Sequence, residues 1–265
     1  MSLITSLTII IISYFWILTI SSWLWFWFFL EIRLFFIIAI LYALKETNKF
    51  KLINYFVVQT LASLLILISA LSTNILSSII LIIAILLKLG LFPFSSWVIK
   101  IYPTISAHSL IIISLLQKIP PIFIFSALIS PNLLLTLWLT ITWAPLYRFW
   151  AHNWILIYTA SSIFYSPIIL ALIWANQFIG SLFFFTYLSY NILFIIRIYT
   201  SNKKLIKIAI IMNLSALPPS VGFIIKLIIA WTLTRPLSFL ILIITLIATA
   251  PSIYFYINLF IKTLI

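Results

Sequence analysis

The sequence predicts an all-α polytopic membrane protein with about ten transmembrane helices, in two inverted five-helix repeats with two broken helices. Three observations predict this fold class. The chain of 265 residues is 66% hydrophobic and only 6% charged. Its apolar stretches continue for about the 20 residues that a helix needs to cross the hydrocarbon core. They do not alternate with polar residues, which favours helices over a barrel. Basic residues also gather in alternate connections. No segment is polar enough for a soluble domain, so residues 1–265 read as a single integral membrane domain. Repeat one covers approximately 1–129 and repeat two approximately 130–265.

The expected helices, in order, are 2–22, 24–44, 52–72, 75–100, 104–128, 131–147, 153–174, 176–199, 205–234 and 236–261. The first two are separated by Ser21-Ser22, and the second ends at the polar stretch from Lys45 to Lys51. Ser72-Thr73-Asn74, Tyr102-Pro103-Thr104 and Ser130-Pro131-Asn132 bound the next three. The sixth ends in the segment Trp143 to Asn153, and the seventh at Asn176-Gln177. Thr200 to Lys204 and Arg235-Pro236 supply the last two breaks. Each break holds the Pro, Ser, Asn or charge that marks a turn. The aromatic run Trp23-Leu24-Trp25-Phe26-Trp27 reads as an interfacial belt.

Charge placement tests this count. Lys45, Lys49, Lys51, Lys100, Arg148, Arg197, Lys203, Lys204 and Lys207 follow even-numbered helices, and Lys262 falls on the same side. Only Arg235 follows an odd-numbered helix. This asymmetry places both termini on the cytoplasmic or matrix side, and a miscount of one span would mix the two sets.

The fourth and ninth helices differ from the rest. One reads Leu87-Lys88-Leu89-Gly90-Leu91-Phe92-Pro93-Phe94, and the other Leu217-Pro218-Pro219-Ser220-Val221-Gly222-Phe223-Ile224-Ile225-Lys226. Gly90 and Pro93 break the first; Pro218, Pro219 and Gly222 break the second. They hold the same place in two halves of five, and an odd repeat length inverts the second half. Paired interrupted helices are the sequence pointer to a transporter site. Lys88 precedes its break and Lys226 follows its own, so both lysines are expected toward one membrane face near mid-depth.

Five ionisable residues lie inside apolar stretches: Glu31, Arg33, Lys88, Lys118 and Lys226. A charge near the bilayer centre costs roughly 2.5–3.5 kcal/mol on insertion scales, so such residues face a bundle interior or a wet path. Lys118, in Leu116-Gln117-Lys118-Ile119-Pro120, is expected mid-way along the fifth helix, too deep to snorkel. Glu31 is one of two acids; the other, Glu46, sits among loop lysines. Arg33 lies two residues from Glu31 and does not face it on a helix. A structural role is expected for it, with the guanidinium snorkelling to the surface or pairing with a neighbouring helix. His108 and His152 are expected near helix starts as structural, hydrogen-bonded residues.

The chemistry of such a set is proton handling. A lysine removed from water loses solvation and binds its proton less tightly, while a nearby carboxylate has the opposite effect. At about 7 Å and an effective dielectric near 20, one unit charge acts on another by roughly 2.4 kcal/mol. Charge pushed along a row of such sites drives protons stepwise, with water bridging the gaps.

Other chemistries are disfavoured. With no cysteine, disulfides and Cys-ligated zinc or iron–sulfur clusters are excluded. Three glycines leave no Gly-rich nucleotide loop, and two separated histidines form no metal or haem pair. The net charge of +13 is spread between apolar runs, with no basic face, which argues against nucleic acid. Met1 to Ile20 lacks the Arg/Ser-rich character of a transit peptide and the basic start of a secretory signal.

Four stretches in order resemble the subunit 2 family of mitochondrial NADH:ubiquinone oxidoreductase (respiratory complex I), an antiporter-like, proton-translocating family. They are Leu30-Glu31-Ile32; Leu87 to Phe94 with Trp97; Leu116-Gln117-Lys118-Ile119-Pro120; and Leu214-Ser215-Ala216-Leu217-Pro218-Pro219 to Gly222-Phe223 and Lys226. The resemblance runs from the second helix to the ninth. It implies that Glu31 and Lys88 form the family's Glu–Lys pair, Lys118 the central relay lysine, and Lys226 the lysine of the second broken helix. It also implies a place in the mitochondrial inner membrane with both termini on the matrix side, beside other membrane-arm subunits and lipids. No cofactor is expected in this chain; NADH, FMN, iron–sulfur clusters and ubiquinone belong to other subunits.

The chain departs from the family at several points. Ile99-Lys100 stand where the family usually has Pro-Glu, and Arg33 where a neutral polar residue is usual. Asn153-Trp154 occupy a region near Tyr158 that normally carries a basic residue. The length resembles a version lacking the first three helices of the bacterial form and stopping after the tenth helix here. Two alternatives stand beside the relay reading: a subunit of a cation/proton antiporter, and a structural membrane-arm subunit without proton relay.

Overall fold

The computed structural model describes residues 3–19, 22–44, 49–72, 75–126 and 154–200, with single positions at 227, 228, 231 and 254. The described residues are helical throughout their regular structure, with no strand among them. They form α1 (Leu3–Thr19), α2 (Trp23–Ala43), α3 (Lys49–Leu71), α4 (Ile75–Leu89), α5 (Ser96–Ile101), α6 (Ala107–Ser114), α7 (Ile119–Ser126), α8 (Trp154–Ala175) and α9 (Gln177–Thr200). Short 3₁₀ turns, Tyr102–Thr104 and Leu116–Lys118, follow α5 and α6. Five stretches are long and apolar enough to span a membrane: α2, α3, Ala107–Ile124, Tyr158–Ala175 and Gln177–Ile196. Apart from the single positions 227, 228, 231 and 254, the expected spans 131–147, 205–234 and 236–261 lie outside the described residues, as do Pro218, Pro219, Gly222 and Lys226.

Contacts divide the chain into two compact units, Met1–Ser130 and Pro131–Ile265. In the first, α1 packs on α2, α2 on α3 and α3 on α4. Helix α6 lies against α2, and α7 against α4 and α1. Lipid tails are as apolar as leucine, so close packing and interhelical hydrogen bonds, not water exclusion, hold such a bundle. Buried small residues serve that packing: Ala62, Ser63 and Ser69 on α3, and Ala84 on α4. The outer surface is apolar and aromatic, with Trp23, Trp25, Phe35 and Phe50 exposed.

In the second unit, α8 and α9 pack together, and most of α8 is buried. A Cβ on Gly180 of α9 would come within 2.5 Å of the Ile173 backbone nitrogen of α8, so only glycine permits this approach. Pro167 sits inside α8 without ending it.

Two helix expectations are corrected. The third helix begins at Lys49 instead of residue 52, because Lys49 and Lys51 join its first turn. The span expected over 104–128 is not one continuous helix. It stops at Ser114, passes through the 3₁₀ turn Leu116–Lys118 and restarts at Ile119. Pro120 and Pro121 explain this: neither has an N–H for the carbonyls of Leu116 and Gln117, whereas both fit the first turn of a new helix. Lys118 therefore closes a 3₁₀ turn and is not a mid-helix residue. The break expected at Gly90 and Pro93 is present: the segment 75–100 folds as two helices, α4 and α5, joined by residues 90–95.

Candidate functional site

The α4–α5 break builds the site. A helix end leaves its last carbonyls without intrahelical donors, and the hydrocarbon offers no water to replace them. Gly90 adopts φ 65°, the left-handed conformation that closes a Schellman cap. The Leu91 amide then donates to the Leu86 carbonyl at 2.9 Å, and the Gly90 amide to Leu87 at 3.2 Å. Trp97 of α5 adds its indole N–H to the Leu87 carbonyl at 3.1 Å. Gln59 of α3 donates from Nε2 to the Lys88 carbonyl at 3.4 Å. Three carbonyls at the break are thus paired inside the protein. The Phe92–Pro93 peptide in the connection is cis.

Lys88, on the last turn of α4, is 6% exposed. Leu30, Leu34 and Arg33 from α2, Gln59 and Ser63 from α3, and Gln117 line a cavity with it. That cavity measures about 10 Å³, at the threshold of roughly 10–15 Å³ that admits one water. Glu31 is half-buried beside it, and its Oε1 accepts a hydrogen bond from the Ser63 hydroxyl. The same hydroxyl lies 2.8 Å from the Thr60 carbonyl. Glu31, of opposite charge, and Arg33, of like charge, are both within coulombic range of Lys88.

Arg33 does not snorkel. It is 2% exposed, on the buried stripe Phe26, Leu30, Arg33, Leu34, Ile37 and Leu41 that the helical repeat turns inward. Its guanidinium carbon lies 4.9 Å from the centre of the Tyr14 ring, a cation–π contact. Its Nε and Nη1, and Gln59 Oε1, have no hydrogen-bond partner among the described residues.

A second polar link leaves the cavity. Tyr55, fully buried on α3, donates its hydroxyl to Gln117 Oε1, and its ring centre lies 5.5 Å from that of Trp97 with the planes tilted by 52°. Gln117 precedes Lys118, which is 6% exposed. Glu31 and Lys88 of the expected set therefore meet at one buried polar cluster. Lys118 is buried and adjoins it in the chain through Gln117, and Lys226 is outside the described residues. His108 is exposed at the start of α6, and His152 lies outside the described residues.

Three of these residues escaped the sequence reading because it followed charge alone. Tyr55, Gln59 and Ser63 stand at i, i+4 and i+8 on α3, a polar stripe in an apolar helix. That spacing was the available signal. The second unit holds a comparable stripe: Thr159, Ser162 and Ser166 are buried on one face of α8. Their hydroxyls bond back to carbonyls of the same helix, Ser166 to Ser162 at 2.6 Å. Asn191 on α9 is fully buried, and its Nδ2 donates to the Tyr187 carbonyl at 2.7 Å.

No protein-family model matches the chain. A stretch of 110 residues is 32% identical to the NADH-ubiquinone oxidoreductase chain 2 of Rhipicephalus sanguineus. The chain resembles that subunit. The match takes in 37% of this chain and 35% of the relative, about a third of the relative's length. Solved structures extend the likeness at the level of fold. One, of respiratory complex I from Thermus thermophilus with bound aureothin, superposes over 93% of this chain and 67% of its own. The TM-score is 0.80 at 16% identity. Another, of the Mrp complex from Dietzia sp. DQ12-45-1b, covers 88% of this chain with a TM-score of 0.70 at 13% identity. This chain spans about half of that one, 55%. The fold is that of complex I membrane subunits and of the Mrp complex.

Proposed function

We propose that the chain is an antiporter-like, proton-translocating membrane subunit of a respiratory NADH:ubiquinone oxidoreductase. Glu31, Lys88, Lys118 and Lys226 relay protons in this reading, and redox chemistry on NADH, FMN, iron–sulfur clusters and ubiquinone takes place in other subunits. The observation that carries it is the α4–α5 break, which holds Lys88 in a water-sized polar cavity tied through Ser63 to Glu31. A buried ammonium beside one carboxylate and one fixed guanidinium occupies a site where proton gain or loss changes the local charge balance. The partial identity to a chain 2 subunit supports the choice of complex.

The remaining features follow from the same reading. The chain forms ten helices in two inverted sets of five, with the second break at Pro218–Gly222. It lies in the mitochondrial inner membrane with both termini on the matrix side, among other membrane-arm subunits. The test is Lys88→Met in the assembled complex, reconstituted in vesicles, with NADH oxidation and proton uptake measured together. Coupled uptake falls strongly while the complex still assembles. Normal uptake with Met at position 88 overturns the relay role.

The Mrp-like fold favours a second reading, a subunit of a cation/proton antiporter. Transport that requires sodium and continues without NADH oxidation selects it over the first.

A further inference from the structure

Helices α2 and α3 enclose a second feature that shares no lining residue with the polar cavity. Phe35, Ile38, Ala39 and Tyr42 recur at i, i+3, i+4 and i+7 on α2. Lys49, Leu52, Ile53 and Phe56 recur in the same way on α3. The two stripes flank a groove of about 520 Å³. Seven residues of helix make it about 10 Å long. The rings of Phe35 and Phe56, 5.7 Å apart, meet at its deep end. Tyr42 and Lys49, both exposed, stand at its mouth.

The chemistry is divided along that axis. The walls are hydrocarbon and aromatic, and the polar side-chain groups are the Tyr42 phenol and the Lys49 ammonium at one end. Lys45, Lys49 and Lys51 fall within seven residues of chain, offset by Glu46 alone. An occupant must therefore be an apolar chain carrying an anionic head. A protein helix is about 10–12 Å across with its side chains and lies over such a groove, not in it. A slender acyl chain, by contrast, fits along the seam of the two helices in a groove of this volume. Basic pockets between transmembrane helices bind anionic lipid head groups in this way.

We propose that the α2–α3 groove binds an acyl chain of an anionic phospholipid, whose phosphate is held by Lys49 and the Tyr42 hydroxyl. The site is independent of the proton relay and stands whether or not that reading holds.

The experiment uses the chain in its native complex, placed in phosphatidylcholine nanodiscs doped with photoactivatable phosphatidylglycerol or, separately, photoactivatable phosphatidylcholine. Peptides spanning Tyr42–Phe56 are then analysed for cross-linked lipid by mass spectrometry. Phosphatidylglycerol labels them several-fold more than phosphatidylcholine. Lys49→Gln brings the two lipids to the same level, while Lys49→Arg keeps the preference. Ala39→Phe fills the groove and lowers labelling by both lipids. Equal labelling of the unaltered chain overturns the proposal, as does a preference that survives Lys49→Gln. Absent labelling also overturns it, because the groove is then covered by a neighbouring subunit.

Discussion

Gln59 Nε2 donates to the main-chain carbonyl of Lys88 at 3.4 Å, so a side chain of α3 completes the hydrogen bonding of a break in α4. The bond ties the position of Lys88 to the helix that also presents Ser63 to Glu31. The break and the charged cluster are one construction.

Gln59→Leu keeps much of the side-chain bulk and removes the donor. The Lys88 carbonyl then stays unpaired away from water, at a cost of roughly 1–3 kcal/mol. A lower thermal midpoint of the purified complex in mild detergent is expected. An unchanged midpoint means that another donor serves this carbonyl.

Gly90→Ala meets two obstacles. The left-handed conformation is strained for a residue with a side chain, by roughly 1–3 kcal/mol. In addition, the new Cβ would sit 2.1 Å from Val98 Cγ2. Gly90→Ala lowers the amount of assembled protein, and adding Val98→Ala restores part of it by removing the clash but not the strain. Full recovery in the double variant would show that the backbone conformation costs nothing.

Much of this construction was legible in the sequence, and the reasons differ by residue. Glu31, Lys88 and Lys118 stood out because charge is expensive in lipid and rare here. Gly90 and Pro93 marked the α4–α5 junction because few residues interrupt an apolar helix. The 3₁₀ turn at Lys118 was misjudged although Pro120-Pro121 announces it. Proline acts on the carbonyls one turn earlier, so the break falls before the residues that cause it. For Arg33 the sequence leaves two outcomes open, snorkelling or pairing with a neighbouring helix, and Tyr14 of α1 takes the second. The choice depends on which face of α2 is buried, and that face is fixed by packing against α1, α3 and α6. Tyr55, Gln59 and Ser63 are neutral, and only their spacing distinguishes them.

Arg33 and Gln59 lead to a structural prediction. Arg33 Nε and Nη1 are donors and Gln59 Oε1 an acceptor, and both residues line the same water-sized cavity. One water accepts from Arg33 and donates to Gln59, whereas an anion satisfies only the first. A high-resolution cryo-EM map of the complex is expected to show one ordered water there. Direct Arg33–Gln59 pairing with no intervening density contradicts the expectation.

Lys118 provides the sharpest separation of relay from scaffold. It ends the 3₁₀ turn, next to Gln117, whose Oε1 is already engaged by Tyr55. The turn geometry follows from Pro120-Pro121 and is unaffected by the side chain at position 118. Lys118→Met keeps most of the apolar bulk and removes the protonation site, so assembly stays near normal while coupled proton uptake falls strongly. Lys118→Arg keeps a charge that resists deprotonation. It therefore also impairs uptake, although it fits the charge of the site better. A scaffold lysine requires the opposite order, with Arg tolerated and Met damaging assembly. Quantifying assembled complex and proton uptake per NADH oxidised in both variants gives the ranking. Normal uptake in Lys118→Met removes this residue from the relay.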